Sequence, residues 1–227
     1  AGKAWMLGPF KRPSGVNPII SPFHSDFFCP MNKSMIRWEE GDAFNPAAVL
    51  NKDGKIVILY RAEDKSAMGI GKRTSRIGYA ESKDGIKVKR LSKPVLYPAD
   101  DEYKSLDWRG GCEDPRVVVT DSGLYVMLYT GWNRDNNMAE TNIPRLCVAT
   151  STDLKHWTKQ GLAFGKAEGG RFKHLECKSA SIVTKFHNGE ITVSKINGHY
   201  FMYWGEKAVC AAISDDLINW EPLLDKQ

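Results

Sequence analysis

The chain has 227 residues, of which 42% are hydrophobic and 26% are charged, as in an ordinary globular protein. Basic residues outnumber acidic ones, 32 to 27, but they are scattered along the chain, so we expect no nucleic-acid partner. No apolar run reaches the roughly 18 residues of a membrane span, and no cluster of ligand residues has metal-site spacing. We therefore expect no membrane partner, no metal and no cofactor.

In chain order, the first predicted element is an N-terminal arm, residues 1–40. A strand within residues 18–28 could close a ring of repeated units. No stretch shows a sustained helical period, so helix is expected to be scarce, and short β-branched runs bounded by turn residues predict strands.

One unit recurs three times after the arm, at residues 41–100, 101–170 and 171–227. It opens on a polar residue, turns at Gly, returns through an apolar run and closes on Ala-x-Ser-x-Asp. The closing aspartate recurs after 69 and then 63 residues. The three closing motifs are Ala80–Asp84, Ala149–Asp153 and Ala212–Asp216.

A repeat of this size, made of four short strands, is typical of a β-propeller blade. Since a propeller needs about four to eight blades, we interpret the sequence as a single, incomplete propeller domain. It is either a fragment, which we favour, or a chain that another chain completes. Trp157 and Trp220 end the outer strands and are predicted to pack between blades. Extra residues near 185–192 predict an extended hairpin in the third blade.

The residues that open the first strands of the three blades are Asn45, Asp114 and Lys178. First strands lie nearest the propeller axis, so these side chains are expected to face a central pocket. Alternatively, they only cap strands and bind water.

Asp114 lies in the segment Gly110–Arg116, where Glu113 and Arg116 flank it and its proline neighbour. Two crowded carboxylates can raise one pKa, which suits an acid catalyst. The alternative is a salt-bridged strand entrance.

Aromatic and charged side chains follow the second strands. Trp204 and Glu206 could bind a sugar through its apolar face and its hydroxyls, although Glu206 could equally be only solvated. Further candidate substrate contacts are Arg61, Asp64, Asp107, Trp108, Glu113, Arg116 and Lys178. Arginine suits vicinal hydroxyls or phosphate because its guanidinium makes bidentate contacts.

These segments together resemble glycoside hydrolase family 130, five-bladed β-propeller enzymes that act on β-mannosides. The resemblance implies that the chain supplies about three of five blades. It implies inversion at the anomeric carbon, with Asp114 as a proton donor that acts through a sugar hydroxyl. It also implies mannose contacts at Asn45, Arg61, Asp107 and Asp114. The matching segments are 44–48, 59–62, 75–85 and 111–116.

The resemblance further favours the hydrolase branch, whose members cleave β-1,2-mannosides. Phosphorylases of the family carry an Arg-Asn pair early in the third blade, where this chain has Glu176–Ser179. Glu206 would repel phosphate and would match the first of two water-positioning glutamates; the second is expected beyond residue 227. A hydrolase of this type is expected in the periplasm or outside the cell, and a phosphorylase in the cytoplasm.

Three other functions stay open. The chain could belong to a mannoside phosphorylase, to a carbohydrate-binding propeller without catalysis, or to another family of five-bladed glycosidases. The last typically has a carboxylate at the start of blade one, where this chain has Asn45.

Overall fold

The computed structural model of the protein describes residues 8–134, 142–187 and 189–224. The predicted all-β class is confirmed. In the described ranges, helical structure is limited to a short helix α1 (Lys104–Asp107) and one 3₁₀ segment (Ala167–Gly170). Neither has the length and apolar character needed to cross a membrane.

The arm contains a hairpin of two antiparallel strands, β1 (Asp26–Cys29) and β2 (Ser34–Arg37). Within the described residues β1 pairs with β2 rather than with a blade. Glu39, fully buried just after this hairpin, accepts hydrogen bonds from Ser25 of the arm and Tyr60 and Arg90 of blade one. The Glu39 carboxylate therefore bonds the arm to blade one, and Trp38 Nε1 adds a bond to the carbonyl of Ser92 at 2.9 Å.

Two blades follow the arm, and each is a four-stranded antiparallel sheet. A single parallel bridge, Ser75 to Gly111, joins them. Blade one contains β3 (Asp42–Leu50), β4 (Ile56–Glu63), β5 (Ser75–Ser82) and β6 (Val88–Arg90). Blade two contains β7 (Gly111–Val119), β8 (Tyr125–Asn133), β9 (Ile143–Ser151) and β10 (Thr158–Leu162).

Blade three contains the predicted insertion, which the structure confirms as a hairpin. The hairpin interrupts the first strand, so the two halves, β11 and β14, both pair with β15. Its strands are β11 (Ser181–Ile182), β12 (Thr184–His187), β13 (Glu190–Val193), β14 (Lys195–Ile196), β15 (His199–Trp204), β16 (Cys210–Ser214) and β17 (Glu221–Leu223).

The core lies between the blades, because successive side chains of a strand point to opposite faces. Leu59 packs in one cluster with Met127 of blade two, whereas the preceding residue Ile58 packs with the arm. In the same way Leu128 packs with Met202 of blade three. Each middle strand thus has apolar residues on both faces, which explains its continuous apolar run.

The two tryptophans directly precede the outer strands β10 and β17 rather than ending them, but they pack between blades as predicted. Trp220 is buried between blades two and three, and its indole N–H donates to the carbonyl of Leu217 at 3.0 Å. Trp157 packs half-buried against the cluster shared by blades one and two, with the same bond to Leu154 at 2.9 Å.

The three closing Ser-x-Asp turns share one geometry. The serine Oγ accepts the backbone N–H three residues on, at 2.9 Å in each blade. The aspartate Oδ1 accepts the N–H groups two and three residues on, at 2.7–2.9 Å. The residue after the aspartate has a positive φ of 73° at Gly85, 67° at Leu154 and 68° at Leu217. The sequence repeat is therefore a structural repeat.

Candidate active site

The first strands of all three blades border one cavity of about 220 Å³. This arrangement supports the interpretation that the blades surround a common space. The lining residues are Pro46, Ala47, Ala48, Arg116, Val117, Val118, Leu128, Ser181 and Ile182.

In the first strand of blades one and two, and just before that of blade three, one residue lies in the left-handed region of backbone conformation. These residues are Asn45, Asp114 and Ser179, with φ of 45°, 50° and 60°. In blades one and two the residue forms a β-bulge with the proline that follows it. A bulge re-aims a side chain, and asparagine and aspartate tolerate this conformation better than most residues.

Lys178 is not the counterpart of Asn45 and Asp114 that the sequence predicted. The bulges of blades one and two follow Phe44 and Glu113, the last residues in register. In blade three the N–H of Gly205 donates to the carbonyl of Lys178 at 3.0 Å. Lys178 therefore matches Phe44 and Glu113, and Ser179 is the counterpart of Asp114. The prediction was wrong by one residue because register across a bulge depends on backbone pairing rather than on residue type.

Asp114 lies together with Asn45 and Arg61, two of the residues for which the resemblance implies mannose contacts. Its Oδ1 accepts a hydrogen bond from Asn45 Nδ2 at 2.8 Å and another from Arg61 Nη1 at 3.1 Å. The Asp114 side chain is 17% exposed. Its second oxygen has no hydrogen bond to any described residue and is therefore the one available to a ligand.

Arg61 is the centre of a buried ionic network under Asp114. Its Nη2 donates to Glu63 Oε1 at 2.7 Å and to Glu113 Oε1 at 2.9 Å. Its Nε donates to Ser75 Oγ at 3.0 Å. One guanidinium thus contacts three carboxylates, two of which lie in the interior.

Glu113 lies beneath the site rather than in contact with solvent. It is 1% exposed. Burial raises the pKa of Glu113 to about 7; the Arg61 guanidinium opposes this shift and the Asp114 carboxylate adds to it. A carboxyl as buried as that of Glu113 cannot contact a sugar, so the predicted substrate contact is wrong.

Two of the predicted sugar contacts, Asp64 and Asp107, are not grouped with Asp114. Asp64 Oδ2 accepts a hydrogen bond from Arg76 Nη1 at 2.8 Å. Asp107 is fully buried, and its Oδ2 accepts a hydrogen bond from Lys159 Nζ at 2.6 Å. Burial raises the pKa of Asp107, and Lys159 opposes the shift.

Arg116 and Trp108 are nearer the surface. The exposed Arg116 donates through Nη1 to the carbonyl of Pro115 at 2.8 Å. Trp108 is half-buried, with the guanidinium of Arg109 6.0 Å from its ring centre. Neither contacts Asp114 through a hydrogen bond within the described residues.

Blade three contributes a second ionic group, Glu206 with Lys178. Lys178 Nζ lies 3.0 Å from Glu206 Oε1 and 5.4 Å from the ring centre of Trp132. Trp132 pairs with Gly111 at the start of β7, three residues before Asp114. Lys178 therefore connects the Glu206 carboxylate to the same end of blade two that carries Asp114.

The aromatic platform predicted at Trp204 is largely closed. Trp204 is 6% exposed, and its ring centre lies 5.0 Å from that of Phe164 in the core between blades two and three. Glu206 itself lines an open cavity of about 260 Å³ together with Trp204 and its neighbours. The exposed aromatic ring of this cavity is Tyr203, and the half-buried Trp132 lies on the other side of the ion pair, against Lys178.

Glu63 and Ser75 belong to the network but were not predicted. Ser75 Oγ lies 3.2 Å from Glu63 Oε1 and 3.3 Å from Glu113 Oε1. A signal for Glu63 exists in the sequence, since residues i and i+2 of a strand share one face. Arg61 and Glu63 stand in that relation within β4.

The family profile described as β-1,4-mannooligosaccharide phosphorylase, that of glycoside hydrolase family 130, matches residues 23–226. The chain belongs to glycoside hydrolase family 130. The resemblance carried by the Asn45 and Asp114 segments is thereby confirmed at the level of the family.

Two kinds of relatives are similar to this family member. A curated 1,2-β-oligomannan phosphorylase from Thermoanaerobacter sp. (strain X514) is 36% identical over 192 residues, which are 84% of this chain and 55% of that protein. The crystal structure of a glycosyl hydrolase from Bacteroides ovatus is 55% identical with a TM-score of 0.93, over 100% of this chain and 61% of the other.

A third relative, a solved structure, is 56% identical with a TM-score of 0.93. The match covers 100% of this chain and 61% of the relative's chain. It comes from work stating that the GH130 family of mannoside phosphorylases contains glycoside hydrolases that target β-1,2 mannosidic linkages in Candida mannan. This chain therefore spans a little over half the length of the relatives it matches.

Proposed function

We propose that this chain is the acid-bearing part of an inverting β-mannosidase that cleaves β-1,2-linked mannosides, within a five-bladed propeller. The observation that carries the proposal is the Asp114 carboxyl on its bulge. One oxygen of this carboxyl is bound by Asn45 and Arg61, and the other is open to a ligand.

In this proposal Asp114 supplies the proton for the leaving group, through a hydroxyl of the bound mannose. Asn45 and Arg61 orient the carboxyl, and Glu206 orients the attacking water from the neighbouring blade. An inverting glycosidase needs its two carboxyl groups roughly 6.5–9.5 Å apart, so that a water molecule fits between them and the sugar. Two carboxylates from adjacent blades suit this requirement better than neighbours on one strand.

The ion pair of Glu206 with Lys178 favours water over phosphate as the nucleophile. Its Oε1 lies 3.0 Å from the ammonium group and neutralises the cation that phosphate would need. The carboxylate also repels an anion. The comparison supports the same choice, because the chain is 55% identical to the Bacteroides ovatus glycosyl hydrolase and 36% identical to the curated phosphorylase.

The second candidate is a β-mannoside phosphorylase. It is favoured by the named activities of both curated relatives, an oligomannan phosphorylase and a mannobiose phosphorylase. Lys178 could bind phosphate if Glu206 rotated away, since the glutamate side chain is 52% exposed.

The two functions are distinguished by their phosphate requirement. The natural full-length protein is incubated with β-1,2-mannobiose in phosphate-free and phosphate-containing buffers, and free mannose and mannose 1-phosphate are quantified. We expect free mannose at equal rates in both buffers. Formation of mannose 1-phosphate only when phosphate is present would establish the second candidate, and no product in either buffer would indicate a binding protein.

The residue assignment is tested with Asp114→Asn in the same assay. We expect about 10²–10⁴-fold less product, the usual contribution of general acid catalysis. Asp53→Asn, which removes an equal charge from the exposed β3–β4 turn, is the control and should leave the rate unchanged. Wild-type activity of Asp114→Asn would contradict the assignment.

A further inference from the structure

The β4–β5 loop of blade one, residues 64–74, leaves its sheet beside the candidate active site. β4 ends at Glu63 and β5 begins at Ser75, and both residues belong to the ionic network under Asp114. Ser75 also pairs with Gly111, at the start of the strand that carries Asp114. The loop therefore lies at the end of the blades where a ligand would meet Asp114.

The base of this loop is bonded to the network itself. Arg134, which follows β8 of blade two, donates hydrogen bonds to the carbonyls of Gly71 and Arg73. The N–H of Gly71 donates to Glu63 Oε1 at 3.3 Å, and the same oxygen accepts a bond from Arg61 Nη2 at 2.7 Å. The position of the loop is thus fixed by the groups that also hold the candidate site together.

The tip of the loop presents two apolar side chains to solvent. Met68 is 88% exposed and Ile70 is 63% exposed, and neither belongs to the apolar clusters of the described residues. The backbone of the tip is bonded nonetheless, since Arg73 Nε donates to the carbonyl of Ala67 at 3.2 Å. A loop already held in one conformation loses little entropy when it binds, which favours a role as a contact surface.

We propose that Met68 and Ile70 bind the apolar face of the leaving-group sugar, the second mannose of the β-1,2-linked substrate. This assignment rests on the proposed function of Asp114 as the acid. It makes no assumption about whether water or phosphate is the nucleophile.

The size of the surface favours a sugar over a protein partner. A stable protein interface buries roughly 1,200–2,000 Å², of which two side chains supply only a small part. Two side chains do match the size of one sugar ring. The exposed Lys65 and Lys72 flank the apolar pair and can donate hydrogen bonds to sugar hydroxyls, the mixture of apolar and polar groups that small ligands require.

The place of the loop in the fold determines which sugar it contacts. In the proposed function Asp114 gives its proton to the leaving group, whereas Glu206 of blade three orients the water on the opposite side. The loop belongs to blade one, and blade two separates blade one from blade three. The loop is therefore on the acid side of the site, away from Glu206, and the leaving-group sugar is the ring expected there.

The test is the double variant Met68→Ser/Ile70→Ser in the natural full-length protein, which removes the apolar contacts and keeps the loop length. KM for β-1,2-mannobiose should rise about tenfold and kcat should stay within about twofold, because lost apolar burial weakens substrate and transition state alike. Ile86→Ser, which changes an exposed apolar residue in the closing turn at the opposite end of blade one, should leave both values unchanged.

An activity-independent readout is ligand binding by Asp114→Asn, measured by calorimetry with β-1,2-mannobiose and with methyl β-mannoside, which lacks the second sugar. Adding the double change should weaken mannobiose binding about tenfold, the same loss as in KM, and leave methyl β-mannoside binding unchanged. Equal weakening of both ligands, or weakening of neither, would overturn the proposal.

Failure of the proposed function is distinguishable from failure of this assignment. The rates are measured with and without phosphate, so a phosphate requirement would refute the hydrolase assignment while KM still tests the loop. Turnover by Asp114→Asn would refute the acid assignment, and the KM comparison in the wild-type background would then test the loop. An unchanged KM in the double variant overturns the proposal in each of these cases.

Discussion

Arg61 is the residue on which the site depends most strongly, because it is the cation that binds Glu63 and Glu113 in the interior. Removing one partner of a buried ion pair leaves an uncompensated charge, which costs about 3–5 kcal/mol. The stacking of its guanidinium 4.6 Å from the ring centre of Phe44 fixes the direction of the side chain. Arg61 therefore connects the stability of blade one to the orientation of Asp114.

Arg61→Met should lower the free energy of unfolding by about 3–5 kcal/mol at pH 8. Without the cation, burial would raise the pKa values of the remaining carboxyl groups in the folded state. The stability that these groups contribute is then fully present below their pKa in the unfolded state, and it is lost as pH rises through their pKa in the folded state. The defect should therefore shrink at pH 5. Urea denaturation at both pH values measures it, and an equal defect at the two pH values would contradict the ionic explanation.

Only some residues of the candidate site could be predicted from the sequence. Asn45, Arg61 and Asp114 could be predicted because their segments match the family in order. Asp64 and Asp107 look equally polar in the sequence, yet their partners Arg76 and Lys159 stand 12 and 52 residues further on. Whether a carboxylate faces a pocket or a buried cation depends on such distant contacts, which residue type alone does not reveal.

At the scale of the elements, the closing turns of blades two and three each hold a tryptophan that packs between blades. Leu154 and Leu217 take up a left-handed conformation that costs a non-glycine residue about 1–2 kcal/mol. Their carbonyls accept the indole N–H groups of Trp157 and Trp220, and both leucines are buried. Burial and hydrogen bonding in these turns offset the unfavourable backbone.

Trp220→Ala should destabilise the protein by about 3–5 kcal/mol, because it removes a fully buried ring from the core between blades two and three. Trp157→Ala is the matched comparison and should cost less, since Trp157 is only half-buried. Thermal or urea unfolding of the two variants measures the difference. Equal losses would contradict the assignment of Trp220 to the more deeply packed position.

The closing turns could be predicted from the sequence, because the Ser-x-Asp turn is specified by short-range hydrogen bonds. The inserted hairpin of blade three could also be predicted from its extra length. The bulge could not: it shifts Lys178 out of the position shared by Asn45 and Asp114. A one-residue shift is invisible to pattern matching when the residue at the bulge, Ser179, is also polar.

At the scale of the whole molecule, the blades share no single core. Separate apolar clusters lie between the arm and blade one, between blades one and two, and between blades two and three. This layering leaves the first strands free to converge on a cavity of about 220 Å³ with polar groups at the bulges. Glu206 lines a separate cavity of about 260 Å³, and the proposed function requires that it and Asp114 act on one ligand.

The measurement that tests this account most directly is a crystal structure of the natural full-length protein carrying Asp114→Asn, in complex with β-1,2-mannobiose. We expect one mannose ring to lie between the side chain at position 114 and Glu206, with Arg61 and Asn45 still bound to position 114. The glycosidic bond should face position 114, and a water molecule should sit near Glu206. A sugar bound elsewhere, or one that contacts only one of these two positions, would contradict the account.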